Sequence, residues 1–277
     1  MPELPEVETV VRTLQTLVKG KKIERVSVSL PRIIRQPDDV EAFKAQLCGQ
    51  TIHEIKRRAK FIQFILDQDV LISHLRMEGR YGLYHAVEPV EKHTHVIFHF
   101  TDGTELRYRD VRQFGTMDVF PKGLETSVGP LAKLGVEPLD EGFTPEVLRG
   151  LLKNRTTKIK PLLLNQECLV GLGNIYVDES LFKSGIHPET PAGKLTGKQV
   201  ERLHESIVST LQEAVEQGGS SIKSYVNGQG EMGMFQQSLA VYGRKDEPCV
   251  NCGTPIVRLV VGGRGTHVCP KCQKRKS

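Results

Sequence analysis

Pro2 stands behind a single methionine in Met1-Pro2-Glu3-Leu4-Pro5-Glu6. Removal of a methionine that precedes proline would leave Pro2 with a free secondary amine. An α-amine titrates at about 7.7–8.0 against about 10.4 for lysine, so at neutral pH it holds a roughly several-hundred-fold larger nucleophilic fraction. Its addition to an aldehyde-like carbon gives a charged iminium, an electron sink for elimination. The same residues have a purely structural use. Pro2 and Pro5 can open a helix, where proline loses no hydrogen bond, and Glu3 and Glu6 in a first turn would complement the helix dipole.

Four of the six cysteines form Cys249-x2-Cys252 and Cys269-x2-Cys272, with sixteen residues between the pairs. That spacing matches a structural zinc ribbon, in which two knuckles converge four thiolates. A segment under about 40 residues cannot fold on its apolar core alone, whereas zinc binding contributes roughly 10–16 kcal/mol. Disulfides are the alternative pairing, and nothing in the sequence indicates secretion. Cys48 and Cys168 lie singly among apolar neighbours and are expected as small buried residues.

Three further segments could carry chemistry. Gly171-Leu172-Gly173-Asn174-Ile175-Tyr176 lacks the third glycine and the preceding strand of a dinucleotide site. It reads either as a plain turn between helices or as a turn whose amides, with Asn174, hold a phosphate at a helix N-terminus. Gly262-Gly263-Arg264-Gly265 between the cysteine pairs is a hairpin tip presenting one arginine, free in solvent or pressed onto a phosphate. Asp110-Val111-Arg112-Gln113-Phe114-Gly115 and Leu75-Arg76-Met77-Glu78-Gly79 place Phe114 and Met77 beside arginines. Exposed, such residues suit a wedge inserted into base stacking; otherwise they are core.

The elements that must position these groups fall into two patterns. Residues 3–19 carry Val7, Val10, Val11, Leu14, Leu17 and Val18 at helical spacing, with Gly20 as a stop. From 21 to 120 the pattern is strands: 23–30, 52–55, 61–66 and 70–75, then Val96, Phe98 and Phe100 alternating with His95, Ile97 and His99 before an Asp102-Gly103 turn. These predict a β-sandwich with one long helix. After a Gly- and Pro-containing linker at 121–142, helices are expected over 144–153, 158–168, 174–183 and 196–217. Residues 222–240, with Gly228, Gly230 and Gly233, are expected as a mobile loop. The fold class is therefore α+β and multidomain.

At 277 residues the chain is long enough for two cores, and 38% hydrophobic with 26% charged residues describes a globular protein. No apolar run is long enough to cross a bilayer, and the acidic, amphipathic start is neither a signal nor a transit peptide. The expected location is cytoplasmic. Net charge is only +5, but its placement is informative. Residues 249–277 contain Arg258, Arg264, Lys271, Lys274, Arg275 and Lys276 without one acid, and Lys153, Arg155, Lys158 and Lys160 form a second acid-free cluster. Such blocks are either solvated faces or a surface for a polyanion, most simply nucleic acid.

Together these pieces resemble the formamidopyrimidine-DNA glycosylase family, bacterial enzymes that remove oxidised purines. The resemblance runs from Pro2 through the terminal ribbon. It rests on PELPEVE at 2–8, RRAKF at 57–61, HLRMEG at 74–79, EKHTH at 91–95, DVRQFG at 110–115, GLGNIYVDE at 171–179 and GGRGTHVCPKC at 262–272. Endonuclease VIII, a relative acting on oxidised pyrimidines, shares the fold. Its start usually reads PEGPE, so Leu4 weighs toward the purine enzyme.

The resemblance implies a catalytic β-sandwich with the N-terminal helix (1–120), the linker (121–142), a helix-two-turn-helix DNA-binding domain (143–221), a lesion-capping loop (222–240) and a zinc ribbon (241–277) holding one structural Zn2+. It implies a monomeric base excision repair enzyme, nucleoid-associated through DNA. Such an enzyme excises 8-oxoguanine and formamidopyrimidines from double-stranded DNA and cuts abasic sites by β,δ-elimination. Pro2 would form the Schiff base at C1′, Glu3 would act as acid on the sugar ring oxygen, and Glu6 would support the pocket. Lys60 would contact phosphate and donate a proton in β-elimination, and Arg264 would clasp phosphate and assist δ-elimination. His93, Arg112, Arg155 and Asn174 would bind DNA, and Met77, Arg112 and Phe114 would fill the space left by an everted base. Cys249, Cys252, Cys269 and Cys272 would hold the zinc. Gln113 and Thr156 depart from the family's usual basic residues and bear on affinity. The other readings are an endonuclease VIII-like pyrimidine enzyme and a non-catalytic zinc-ribbon DNA-binding protein that retains Met1.

Overall fold

The computed structural model describes residues 1–220 and 233–275. The chain divides into two compact units, one of residues 1–133 with 218–233, the other of residues 134–217 with 234–277.

In the first unit, helix α1 (Leu4–Val18) buries Leu4, Val7, Val10, Val11, Leu14 and Val18 on one face, and Gly20 ends it at φ +84°. The strands that follow are β1 (Ile23–Val28), β2 (Ile34–Gln36), then, after helix α2 (Val40–Leu47), β3 (Glu54–Arg58), β4 (Phe61–Ile65), β5 (Asp69–His74), β6 (Arg80–His85), β7 (Thr94–Phe100), β8 (Thr104–Arg109) and β9 (Thr116–Pro121). They form two sheets, ordered β1-β7-β8-β6 and β2-β9-β5-β4-β3. One apolar cluster takes Phe98 and Leu106 from the first sheet, Phe64 and Leu71 from the second, and Val7 and Leu14 from α1. The sandwich decorated by a long helix is what the alternation predicts.

Three details differ. The third strand starts at Glu54 rather than Ile52, because Ile52 is bonded through both its backbone groups to Gly20 and Lys21. Helix α2 is short, with only Phe43 and Leu47 buried, and is held by the Asp39 cap rather than by a long apolar stripe. The polar face of β7 is covered. His99 Nδ1 lies 2.7 Å from Glu105, and Arg107 bonds Glu105 together with the carbonyls of Glu88 and Pro89. The 86–92 loop thus closes over charges that pair one another.

In the second unit, α3 (Pro145–Leu152), α4 (Ile159–Leu163), α5 (Asn174–Ser184) and α6 (Gly197–Glu216) precede the hairpin β10 (Val257–Val261) and β11 (Arg264–Val268). The helix expected over 158–168 stops at Leu163. Asn165 Oδ1 accepts the Glu167 N–H at 3.0 Å, and Gln166 bonds the carbonyls of Leu164 and Leu172 and the N–H of Gly171. Side chains that satisfy backbone locally compete with helix, and here they fold the turn that launches α5. Cys48 is exposed and Cys168 half-buried, against the expectation of burial. Of the 222–240 loop, residues 222–232 lie outside the described residues. Residues Phe235–Ser238 form a 3-10 turn instead of a loop, with the buried Phe235 ring 5.5 Å from that of Tyr176. No described helix is long and apolar enough to cross a membrane.

Candidate functional site

The first turn of α1 seats the candidate nucleophile. Pro2, Glu3 and Glu6 are buried while Met1 is exposed. Glu6 Oε2 accepts the Glu3 N–H at 2.8 Å and Oε1 accepts the Ser220 N–H at 2.7 Å. A carboxylate is acceptor-only, and this one is divided between two backbone donors far apart in sequence. A Cβ on Gly219, at φ +78°, would come within 2.8 Å of Glu6 Oε1, so only glycine permits that approach. Glu6 therefore does more than complement a dipole: it ties the proline segment to residues 219–220.

A second cluster surrounds the β3–β4 turn. Ala59 adopts φ +54°, and Lys60 is buried. His74 accepts the Arg76 N–H on Nδ1 at 2.9 Å and meets the Phe61 ring edge-on. Burial first, then the charges of Arg76, Lys60 and Arg35, push the His74 pKa down to about 3. With Nδ1 accepting the Arg76 N–H, the neutral ring carries its hydrogen on Nε2. His74 was not singled out from the sequence, although it opens the HLRMEG motif. Because its folded pKa lies below the unfolded 6.5, the unfolded chain binds the proton more tightly. The stability this contributes is complete above 6.5 and is lost as pH falls toward 3. His74→Gln is expected to flatten the stability–pH curve across that window by a few kcal/mol. Denaturant unfolding at stepped pH checks this, and parallel curves for the two proteins would refute it.

Two loops of the same unit expose large side chains. Met77 is 37% and Phe114 52% exposed, and the Arg112 guanidinium lies 5.1 Å from the Phe114 ring centroid. These residues are thus not core. His93 is half-buried at φ +69°, and its carbonyl accepts the Asp110 N–H at 3.0 Å. Gln113 Oε1 accepts from Arg32 at 2.7 Å, a bond that a basic residue at 113 could not make.

In the second unit, the acid-free cluster is not a uniform basic face. Lys160 is fully buried, with Nζ 2.7 Å from Asp178 Oδ1, 2.8 Å from Thr266 Oγ1 and 3.1 Å from the Gly265 carbonyl. Asp178 Oδ2 accepts the His267 N–H at 2.9 Å, and Lys158 pairs with Glu189. Lys153 and Arg155 remain exposed. The Arg155 carbonyl accepts the Gly193 N–H at 2.8 Å. Asn174, the first residue of α5, donates Nδ2 to the Gly265 carbonyl at 2.9 Å; its second amide hydrogen is available for a ligand. Arg264 is exposed at the hairpin tip beside Gly265, so the fold brings Asn174 and Arg264 to one place. The tip fits because Gly262, at φ +56°, abuts Pro161 where a Cβ would approach to 2.7 Å.

The four cysteine Sγ atoms lie within 4.8 Å of one another, with Cys252–Cys269 at 3.5 Å and Cys249–Cys272 at 3.9 Å. Zn–S bonds of about 2.3 Å in a tetrahedron place sulfurs about 3.8 Å apart. The Asn251 and Cys272 N–H groups each point to a Cys sulfur at 3.4 Å, and Gln273 ties the second knuckle to the Ile186 carbonyl. The donor set fits one structural zinc, with no position left for water.

Family models for the formamidopyrimidine-DNA glycosylase N-terminal domain, the formamidopyrimidine-DNA glycosylase H2TH domain and the zinc finger found in FPG and IleRS match residues 1–117, 134–226 and 246–275. The chain belongs to the formamidopyrimidine-DNA glycosylase family. A formamidopyrimidine-DNA glycosylase of Brevibacillus brevis is 82% identical over the whole of both chains. A Lactococcus lactis FPG mutant solved with Fapy-dG containing DNA is 43% identical, with a TM-score of 0.93 over 99% of this chain and 100% of that one. The L. lactis enzyme with abasic-site DNA is similar at 43% and 0.92, with the same coverage. The zinc-finger match spans the four clustered cysteines. The candidate site residues implied by the resemblance fall into two sets. Pro2, Glu3, Glu6, Lys60, Met77, His93, Arg112 and Phe114 belong to the first unit, and Arg155, Asn174, Arg264 and the cysteines to the second.

Proposed function

We propose that this glycosylase excises 8-oxoguanine and formamidopyrimidines from duplex DNA using the Pro2 nitrogen, freed by loss of Met1, and then cuts the strand at the resulting abasic site. The observation that carries the reading is Pro2 at the buried, acid-flanked start of α1. The solved L. lactis relatives hold Fapy-dG and abasic DNA, the substrate and the intermediate of such a reaction.

A nucleotide must leave the stack before C1′ can be reached. Phosphate contacts from Lys60, His93, Arg112, Arg155, Asn174 and Arg264, with Met77, Arg112 and Phe114 in the vacated space, offset an eversion cost of a few kcal/mol. The Pro2 lone pair then attacks C1′, and the base leaves with the glycosidic electrons and takes up the proton that the new ammonium sheds. Glu3 protonates the ring oxygen as the sugar opens to the iminium. The iminium acidifies C2′, β-elimination expels the 3′ phosphate, and δ-elimination, assisted by Arg264, expels the 5′ phosphate. Zinc, when bound, supplies folding energy to the ribbon that presents Arg264, and no bond to substrate. The enzyme acts as a cytoplasmic monomer, associated with the nucleoid through DNA.

A panel of duplexes carrying oxidised purines, oxidised pyrimidines or abasic sites, each run with and without borohydride, tests the reading. Purine lesions are expected to be excised fastest, with a covalent adduct trapped on every cleaved substrate. Faster excision of pyrimidines would transfer the chain to the endonuclease VIII type. Cleavage without any trapped adduct would end the imine mechanism.

A further inference from the structure

The residues assigned above to the vacated space sit on two separate loops, and neither loop is stabilised by burial of its own tip. Asp110 is fully buried. Its Oδ1 accepts the Arg112 N–H at 3.1 Å, and Oδ2 accepts the Phe114 N–H at 2.9 Å and the Gly115 N–H at 2.8 Å. The Tyr108 hydroxyl donates to the same oxygen at 3.4 Å. Through its backbone Asp110 also bonds the His93 carbonyl and accepts from His95 Nε2 at 3.0 Å. Gln113, enclosed by these bonds, adopts φ +59°, a conformation that needs support from its surroundings.

Tyr108 supplies the link to the other loop. Its ring is buried in the sandwich core, and its hydroxyl lies where a Cβ on Gly115 would come within 1.7 Å and one on Gly79 within 2.3 Å. Gly115 ends the segment bearing Arg112 and Phe114, and Gly79 ends the segment bearing Met77. One phenol oxygen thus touches both loops at glycines that admit it. Burial, then the Asp110 charge, hold the phenol far above its ordinary pKa, so it stays a neutral donor.

We propose that Asp110 is a positioning residue for base eversion: its carboxylate gathers the amides of the 112–115 loop, and Tyr108 sets that loop's distance from the Met77 loop. The three side chains are thereby held ready before DNA arrives. Asparagine in place of Asp110 would turn an NH2 group toward N–H donors, leaving at least one buried amide without an acceptor. The inference rests on the reading that Met77, Arg112 and Phe114 fill the space of the everted base.

The test compares Asp110→Asn, Tyr108→Phe and Phe114→Ala in the full-length, zinc-loaded enzyme. Single-turnover excision is measured on an oxidised purine in paired duplex, and incision on the same duplex with a preformed abasic site, where eversion costs least. For Asp110→Asn, excision of the paired lesion is expected to fall roughly ten- to a hundredfold, with abasic incision changing by less than about threefold. A 2-aminopurine opposite the lesion should report slowed unstacking in step with excision. Tyr108→Phe keeps the ring and is expected to shift the same ratio by about two- to fivefold; it decides the matter if Asp110→Asn does not fold. Equal losses on both substrates would overturn the positioning role. So would normal excision by Asp110→Asn while Phe114→Ala is impaired. Normal excision by Phe114→Ala would overturn the void-filling reading beneath it.

Discussion

Replacing Pro2 with glycine is expected to cut lesion excision by at least about a hundredfold, equivalent to about 2.7 kcal/mol of barrier. The variant keeps a terminal amine after methionine removal, so the loss isolates what the pyrrolidine contributes. A secondary amine forms an iminium that cannot shed a proton from nitrogen, whereas a primary amine forms an imine that must be protonated to draw electrons. The glycine variant should therefore redirect residual cutting as well as slow it, with less borohydride-trapped adduct per turnover. Pro2 also lies two residues ahead of α1, so circular dichroism should confirm that α1 persists. A second preparation whose methionine is retained, verified by mass spectrometry, should trap nothing. Normal incision by that blocked protein would remove Pro2 from the mechanism.

Zinc removal is expected to have the next largest effect. Around its cysteines the ribbon packs a small apolar cluster, Phe182, Val241, Cys249, Ile256 and Cys269, two of whose five members are metal ligands. With roughly 10–16 kcal/mol of folding energy coming from the metal, Cys252→Ser should lose the zinc. It should also release the hairpin that carries Arg264 and unmake the shared environment of Asn174. Duplex affinity should fall by roughly a hundredfold or more, with a shallower salt dependence because fewer phosphates are contacted. Zinc content and fluorescence anisotropy across a salt series measure both. A zinc-free protein that binds with full affinity and slope would show that the ribbon contributes nothing to the grip.

Much of this was legible in the sequence because the chemistry is written in short contiguous words. PELPEVE places the amine and both acids within five residues at the head of α1, and two Cys-x2-Cys pairs state their own geometry. The alternation through Val96, Phe98 and Phe100 announced a strand, and Asp102-Gly103 its turn. What stayed hidden depends on partners remote in the chain. Lys160 looks like one more surface lysine until Asp178 and Thr266 close around it. Glu6 looks like a dipole complement until Ser220 arrives from the opposite end of the chain. His74 is an ordinary strand residue until burial, with the charges of Arg76, Lys60 and Arg35, holds its ring neutral. Periodicity records which face is buried, and it is silent about which polar group answers which. Helix α4 failed for a local reason, since Asn165 and Gln166 satisfy the turn that ends it.

The contacts of α5 bear on how this protein could be recombined with its relatives. Glu179 receives the N–H groups of Ala240, Val241 and Tyr242, one residue after Asp178 receives His267. Lys160 and Asn174 meet on Gly265, and Gln273 reaches Ile186. The metal-binding finger is therefore no interchangeable cassette, although its boundaries look like one. A chimaera spliced just before residue 240 would separate all seven of these bonded pairs, whereas a crossover before Lys160 would carry each pair over intact.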